Sequence, residues 1–324
     1  MKVTILGAGA YGLALADTLA YNKNNVNIWT NVKKEYEMLL SRNNDENIFS
    51  DFRINDKIVP YDNIKDALSG AEIIFVVVSS KYIMNVLQEI KKYYNKKQII
   101  CIATKGILQE RLFFMSRIFS KALNTKKVAV LSGGTFAKDM FLHDPMGLMI
   151  GTCNKSSGID IKRCLKNEYL DVIVSRDIIG IEICGAFKNI MAISLGIIQG
   201  NKYNESTKCM FVAKVVNELS QMISLLGGEK NTILSYAGIG DLWLTGTSTT
   251  SRNYTFGLMI GEKCSREKIN QYINTTTIEG LDSLNAIYKM LKIKNYNSKF
   301  ISCLYNIIYN DESLELLKEY LRNN

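Results

Sequence analysis

The sequence predicts an α/β fold: an N-terminal Rossmann-type, doubly wound, mostly parallel sheet followed by a second, mostly α-helical domain. Two observations support this. Short apolar runs alternate with helical segments in the first half of the chain, and long amphipathic segments dominate from about residue 178. A length of 324 residues is sufficient for two domains. We therefore expect a first domain over residues 1–178 and a second over residues 179–324.

The first residues predict a dinucleotide site. The apolar run at residues 3–6 is typical of a buried strand, and Gly7, Gly9 and Gly12 follow it in the spacing G-x-G-x-x-G before an Ala/Leu-rich helical segment. The first glycine allows a tight turn, the second lets a pyrophosphate approach the backbone, and the third lets the helix pack closely on the strand. The helix N-terminus would offer unpaired N–H groups to the phosphates.

The other elements are expected in two sets. In the first half, strands are predicted at residues 26–29, 73–78, 99–103, 128–131, 147–151 and 171–174, helices at residues 32–42 and 82–94, and an irregular polar insertion at residues 43–56. In the second half, helices are predicted at residues 178–198, 207–226, 265–272, 281–291 and 298–309.

Composition argues against several classes of function. The chain has 40 Lys and Arg against 31 Asp and Glu, but the basic residues are dispersed, so we expect no nucleic-acid partner. Seven scattered cysteines favour reduced thiols in the cytoplasm. A single histidine argues against a metal cluster. No apolar run approaches the ~20 residues that a membrane span needs.

The residue after the second strand bears on the choice between NAD and NADP. NAD enzymes usually place an acid there for the ribose 2′-OH, whereas this chain has Asn31 followed by Lys33 and Lys34. Asn31 could bond a 2′-OH or a 2′-phosphate, and the lysines either hold a phosphate or form a solvated helix start. The sequence favours NADP slightly.

Two turns after predicted strands carry candidate polar groups. Lys105 directly follows the strand at residues 99–103, at the edge where open α/β sheets bind ligands. It either meets an anionic ligand there or is solvated. The turn at residues 131–137 contains Gly133 and Thr135, and its backbone donors suit a bound hydroxyl or phosphate. Thr135 could also serve only as a helix N-cap.

The helix predicted from residue 178 carries Lys188 and Asn189 side by side in an otherwise apolar stretch. A lysine in apolar surroundings is costly unless it is paired, and desolvation lowers a lysine pKa towards the range useful for acid–base work. The alternative is a lysine whose ammonium reaches solvent from one edge of the helix.

Later in the chain, glycines at positions 238 and 240 predict a flexible turn that presents Asp241. Residues 251–253 form a Ser-Arg-Asn run that we expect in a loop. Arg252 would offer a planar guanidinium to a phosphate monoester, with hydroxyl and amide groups beside it. An ordinary polar surface loop is the alternative.

Taken together and in this order, these stretches resemble the NAD(P)-dependent glycerol-3-phosphate dehydrogenase family, in its bacterial soluble form. The resemblance rests on GAGAYGLALA, ATKG, SGGTFA, GIEICGAFKNIMAISLGI, AGIGDLWLT, SRN and a late IEG, and it spans residues 5 to about 280. It implies reversible hydride transfer between NAD(P)H and dihydroxyacetone phosphate, giving sn-glycerol 3-phosphate for glycerophospholipid synthesis. It also implies a cytoplasmic homodimer with a small phosphorylated substrate.

The resemblance implies roles for the matching residues. Lys188 would be the general acid/base, with Lys105 and Asp241 as the other catalytic residues. The residues expected at the substrate are Lys105, Gly133, Thr135, Asn189, Thr245, Ser251, Arg252 and Asn253. Together with the residues argued above, those expected at the cofactor are Gly7, Gly9, Ala10, Tyr11, Gly12, Asn31, Lys105, Ala137, Arg252 and Glu279. No metal is expected.

The chain departs from the family pattern in three places. Gly134 and Thr135 stand where proline and serine are usual, residues 203–209 align loosely, and Gly246 follows Thr245 where cysteine is common. The nearest rivals are a β-hydroxyacid dehydrogenase or a ketopantoate reductase, which usually do not place the lysine and the asparagine side by side. A non-catalytic NAD(P)-binding sensor ranks lower because Lys188, Asp241 and Arg252 are all present.

Overall fold

The computed structural model describes residues 1–42, 53–108, 112–249 and 251–322. The chain divides into two compact units. The first, called here the sheet unit, comprises Met1–Lys105 and Met115–Ile178. The second, the helical unit, comprises Gly106–Phe114 and Ile179–Asn324. The helical unit thus includes a short segment from the middle of the first half of the chain.

The strands of the sheet unit lie close to their predicted positions. They are β1 Lys2–Leu6, β2 Asn25–Trp29, β3 Ile58–Tyr61, β4 Ile73–Val76, β5 Ile99–Ile102, β8 Val128–Ser132, β9 Met146–Gly151 and β10 Leu170–Ser175. The short strands β6 Ile107–Leu108 and β7 Phe113–Phe114 belong to the helical unit. Strand β3 was not predicted, because its Pro60 and half-exposed pattern give a weak strand signal.

Helices connect the strands of this unit. They are α1 Ala10–Tyr21, α2 Lys33–Ser41, α3 Ile64–Leu68, α4 Ile83–Tyr93, α5 Met115–Leu123, α6 Ala137–Leu142 and α7 Lys155–Leu165. The predicted helices at residues 32–42 and 82–94 are therefore confirmed as α2 and α4. Most of the predicted insertion at residues 43–56 lies outside the described residues.

The sheet has the predicted mostly parallel character. Among the described residues, eight strands form one sheet in the order β10-β9-β8-β5-β4-β1-β2-β3. All neighbouring pairs are parallel except β8 and β9. In register, Leu6 lies opposite Val76, Val76 opposite Ile102, and Ile102 opposite Val130. The carboxyl ends of β1, β4, β5 and β8 consequently lie at one edge of the sheet.

The glycine-rich turn between β1 and α1 is tightly packed. Gly7 has a φ of +116°, which favours glycine, and its N–H donates to Trp29 O at 2.9 Å. A Cβ at Gly12 would lie 2.0 Å from Gly7 O, so α1 approaches the turn more closely than any side chain allows. A Cβ at Gly9, in contrast, would meet nothing within 4 Å.

The helical unit contains the remaining helices. They are α8 Ile178–Gly200, α9 Glu205–Leu225, α10 Asp241–Thr247, α11 Arg252–Gly261, α12 Arg266–Thr275, α13 Glu279–Ile293, α14 Lys299–Tyr309 and α15 Glu315–Arg322. The five helices predicted in this half of the chain are confirmed as α8, α9, α12, α13 and α14, whereas α10, α11 and α15 were not predicted.

Helix α8 is the core helix of this unit. An 18-residue stretch of this helix has a mean hydropathy of 1.6, so the helix is apolar and long enough to cross a membrane. This differs from the expectation that no apolar run in the sequence approaches that length. However, 83% of that stretch is buried inside the protein. Phe187 on this helix packs against Phe300 of α14, with ring centroids 5.7 Å apart. Burial on nearly all sides explains the continuous hydrophobicity of α8.

Helix α11 crosses α8 at very short range. A Cβ at Gly257 would lie 1.9 Å from Ile193 O, and a Cβ at Gly261 would lie 2.3 Å from Ile197 O. Only glycine at these positions lets the two backbones approach so closely. This crossing fixes the start of α11, which carries Arg252 and Asn253, relative to the middle of α8.

The β6–β7 hairpin packs within the helical unit. Its strands pair antiparallel, with Ile107 opposite Phe114, and both residues belong to the hydrophobic core formed by the helices. Strand β6 contacts α13. The sequence did not indicate that this hairpin belongs to the helical unit, because a two-residue strand has no detectable periodicity.

We expect the substitution G12A to lower stability more than G9A does. The methyl group of G12A has no room beside Gly7 O, so this variant should lose about 1–3 kcal/mol of the free energy of unfolding. G9A adds a methyl group in open space and should cost less than about 1 kcal/mol. Urea unfolding of both variants would measure the difference, and equal midpoints would contradict this packing account.

Candidate active site

The N-terminus of α1 has the form of a pyrophosphate cradle. Gly9 occupies the N-cap position, and among the described residues no side chain caps the helix. The partial positive charge of the first N–H groups of the helix favours an anion. The open space at Gly9 leaves room for a phosphate against the backbone. The residues present fit the phosphates of a dinucleotide.

The predicted polar groups of the sheet unit gather at the carboxyl edge of the sheet. Lys105 follows β5 and donates from Nζ to Gly133 O, after β8, at 3.3 Å. The hydroxyls of Tyr11 and Thr135 lie 3.3 Å apart. The parallel arrangement of β1, β5 and β8 brings these four residues from distant parts of the sequence to one edge.

Thr135 is not the N-cap of α6, so that alternative was wrong. The N-cap is Phe136, without a side-chain cap among the described residues, and Ala137 is the first residue of the helix. The Thr135 hydroxyl instead faces Tyr11, at the start of α1. The turn thereby links the two helices that begin at this edge of the sheet.

Asn31 lies apart from this group, exposed after β2. The nearest acid in the sequence, Glu35, accepts a hydrogen bond from the Thr30 hydroxyl, which also accepts from Val32 N–H at 3.1 Å. Lys33 forms an exposed ion pair with Glu37 at 3.7 Å. The first exposed side chain after β2 is thus an amide and not a carboxylate.

The helical unit pairs Lys188 with Asp241. Lys188 Nζ on α8 donates to Asp241 Oδ1 on α10 at 3.0 Å, and the Thr245 hydroxyl donates to the same oxygen at 3.3 Å. The Lys188 side chain is 16% exposed and that of Asp241 is 1% exposed. Lys188 therefore does not simply extend to solvent from a helix edge. In this buried position each charge depends on the other, because removing one leaves the other uncompensated.

The turn before Asp241 is helical, and its flexibility stays a prediction. Tyr236–Gly240 forms a π-helical turn that runs directly into α10 at Asp241. Gly238 has non-helical angles of φ −90° and ψ −112°, and a Cβ there would lie 2.2 Å from Ile233 O. The glycine allows close packing against the preceding segment and thereby sets where α10 begins.

The Ser-Arg-Asn run also differs from its prediction as a loop. Ser251 is the N-cap of α11, where its Oγ accepts from Tyr254 N–H at 3.4 Å. Arg252 and Asn253 are the first two residues of the helix. Arg252 is exposed, and its guanidinium forms no ion pair within the described parts of the chain. A cation without a counter-ion at a helix N-terminus is suited to bind an anion.

Three side chains and one backbone group of the helical unit form a chain of hydrogen bonds. Gly280 N–H donates to Asn253 Oδ1 at 2.9 Å, Asn253 Nδ2 donates to Asn189 Oδ1 at 3.1 Å, and Asn189 Nδ2 donates to Glu279 Oε2 at 3.2 Å. The sequence predicted the three side chains as site residues but did not indicate Gly280 or the connection between them. The only available signal was the glycine that directly follows Glu279.

The helical unit also contains a cavity. It has a volume of about 560 Å³, and its lining includes Leu195, Trp243, Gly246, Tyr254 and Leu258. Two of these residues belong to α10, but none of the predicted site residues lines the cavity. Among the described residues there is also no group of three or more His, Cys, Asp or Glu side chains that could hold a metal ion.

Comparisons with known proteins match both halves of the chain. The family described as NAD-dependent glycerol-3-phosphate dehydrogenase N-terminus matches residues 2–157, and the corresponding C-terminus family matches residues 177–319. A glycerol-3-phosphate dehydrogenase [NAD(P)+] of Fusobacterium nucleatum is 31% identical, over 92% of this chain and 88% of its own. A glycerol-3-phosphate dehydrogenase [NAD(P)+] of Ligilactobacillus salivarius is 30% identical over 97% of this chain and 94% of its own length.

A solved structure has the same fold throughout. The crystal structure of glycerol-3-phosphate dehydrogenase from Coxiella burnetii superimposes with a TM-score of 0.91 at 26% identity, covering 99% of each chain. The similarity therefore extends over both units of the chain. This chain belongs to the NAD(P)-dependent glycerol-3-phosphate dehydrogenase family.

Proposed function

We propose that the protein reduces dihydroxyacetone phosphate to sn-glycerol 3-phosphate with NAD(P)H, and catalyses the reverse reaction. The observation that carries the proposal is the buried Lys188–Asp241 pair together with the exposed Arg252. The first supplies a proton donor held by a carboxylate, and the second supplies a cation for a phosphate. Together they suit a substrate with a ketone and a phosphate.

The sheet unit would hold the dinucleotide. The glycine-rich turn and the N-terminus of α1 receive the pyrophosphate, with Ala10 and Tyr11 beside it and Ala137 at the start of α6. When bound, the cofactor supplies the hydride for C2 of the ketone. Gly133, Thr135 and Lys105 at the carboxyl edge of the sheet offer polar groups to substrate and cofactor.

Lys188 would act as the general acid in the reducing direction. Its ammonium donates a proton to the carbonyl oxygen as the hydride reaches the carbon, and the resulting amine regains a proton from solvent. Asp241 holds the ammonium in place, and the hydroxyl of Thr245 fixes the carboxylate. In the reverse direction the neutral amine accepts the proton of the secondary alcohol.

Arg252 would bind the substrate phosphate, with Ser251, Asn253 and Asn189 nearby. Its guanidinium can donate two parallel hydrogen bonds to a phosphate, which fixes orientation as well as position. The binding energy of the phosphate, remote from the reacting carbon, is then available to align the ketone with Lys188.

We propose NADP as the preferred cofactor. The support is the amide of Asn31 after β2, where a carboxylate would repel a 2′-phosphate, and the lysines that begin α2. By resemblance to its family, we further propose a cytoplasmic homodimer whose product serves glycerophospholipid synthesis. The seven cysteines form no disulfide with one another, which supports a reducing compartment.

The proposed function is tested by following NADPH and NADH oxidation with dihydroxyacetone phosphate and with dihydroxyacetone. We expect turnover that depends on the phosphate, with the higher kcat/KM for NADPH. In R252M, the KM for dihydroxyacetone phosphate should rise about 30–100-fold, because a charge-assisted interaction worth a few kcal/mol is lost.

Arg266 offers a matched control for Arg252. It also follows a serine N-cap as the first residue of a helix, and it is exposed. R266M should therefore leave the KM near the wild-type value. Equal effects of the two substitutions, or equal use of the ketone without its phosphate, would refute the role of Arg252.

The role of Lys188 is tested with K188A and added methylamine. We expect kcat to fall by about 10²–10⁴, because general acid catalysis is lost, while the Kd for NADPH changes little. Methylammonium fits the vacated space beside Asp241 and should restore part of the rate in a saturable manner. A thermal melt checks that the variant is folded, and a folded K188A enzyme with wild-type kcat would exclude the assignment.

A further inference from the structure

The hydrogen-bonded chain that joins Glu279, Asn189, Asn253 and Gly280 forms a closed ring. The hydrogen bonds run from Gly280 N–H to the Glu279 carboxylate. Because Glu279 and Gly280 are adjacent in the sequence, the peptide bond between them completes the ring. The ring connects α8, α11 and the N-terminus of α13. We call these four residues the amide ring.

The chemistry of its two ends fixes the direction of the amide ring. Gly280 N–H can only donate, so the atom of Asn253 that faces it is the amide oxygen. An ionised Glu279 can only accept, so the atom of Asn189 that faces it is the amide nitrogen. Both requirements give the same orientation of the two amides, and neither amide can rotate without placing two donors or two acceptors against each other.

This orientation leaves hydrogen-bond donors for a ligand. Each amide nitrogen carries two hydrogens, and the amide ring uses one of them on Asn189 and one on Asn253. The second hydrogen of each remains available. Both side chains are almost completely buried, at 3% and 7% exposure, so their positions are set by the ring and not by solvent.

The two amides belong to the residues that directly follow the two cations in the sequence. Asn189 follows Lys188 on α8, and Asn253 follows Arg252 on α11. Phosphate oxygens only accept hydrogen bonds from such groups, so two N–H donors next to a guanidinium complement a phosphate. If the amides were reversed, their oxygens would face the phosphate and repel it.

We infer that Glu279 is a positioning residue for the phosphorylated substrate: its carboxylate orients Asn189, and through Asn189 the amide of Asn253, so that both present N–H groups to the phosphate. This inference rests on the proposed function and assigns Glu279 to substrate binding, in addition to the cofactor contact implied by its family. The carboxylate lies in the first turn of α13.

The test compares E279A with E279Q, measuring KM for dihydroxyacetone phosphate, kcat, and the Kd for NADPH from fluorescence titration. In E279A, Asn189 loses its acceptor, and we expect the KM for the phosphorylated ketone to rise about tenfold, the effect of one hydrogen bond. Because Glu279 also keeps the cofactor contact implied by its family, the KM for the ketone is measured at saturating NADPH, where a change in the Kd for NADPH does not contribute to it.

E279Q separates orientation from charge. Its side-chain oxygen can still accept from Asn189 Nδ2, so this variant should restore the KM to within about threefold of the wild type. The control is E267A, which also removes a first-turn acid from a helix, α12, and is exposed. It should leave the KM unchanged, and thermal melts identify any variant that fails to fold.

G280A disturbs the amide ring without altering Glu279. The new methyl group would lie 2.8 Å from Asn253 Oδ1 and 2.9 Å from Asn189 O, so we expect a KM increase like that of E279A. A wild-type KM in folded E279A, or a loss confined to NADPH binding, would overturn the inference while leaving the proposed function intact. Failure of the proposed function would instead show as absent turnover in the wild type.

Discussion

The buried ion pair between Lys188 and Asp241 constrains the arrangement of the helical unit. Two opposite charges at 3.0 Å, one of them on a side chain that is 1% exposed, are stable only when both are held in place. Helix α8 holds the lysine because burial on nearly all sides leaves it little freedom. The π-helical turn before α10 holds the aspartate, because Gly238 packs against the backbone of Ile233.

The sheet unit achieves its own alignment through strand register. Parallel pairing of β1, β4, β5 and β8 places their carboxyl ends at one edge, so that residues from distant turns become neighbours there. The contacts of Lys105 with Gly133 and of Tyr11 with Thr135 are the result. Each unit therefore arranges its polar groups by a different physical means: backbone pairing in the sheet unit, and close helix packing in the helical unit.

The sequence predicted what depends on local pattern. Apolar periodicity located the main strands and long helices, and the glycine spacing located the turn before α1, because each signal lies within a few adjacent residues. It failed where long-range contacts decide the structure. Asp241 and Arg252 were expected in loops but begin helices, the hairpin at Ile107 joins the helical unit, and the partner of Asn253 is the backbone of Gly280.

The most direct test of this account is a double-mutant cycle on kcat with K188A, D241N and the combined variant. If Asp241 acts by holding the proton donor, it has nothing to hold once the lysine is gone. The combined variant should then be as slow as K188A alone, within about threefold. If the two losses multiply, the residues contribute independently, and the ion pair is not the basis of catalysis.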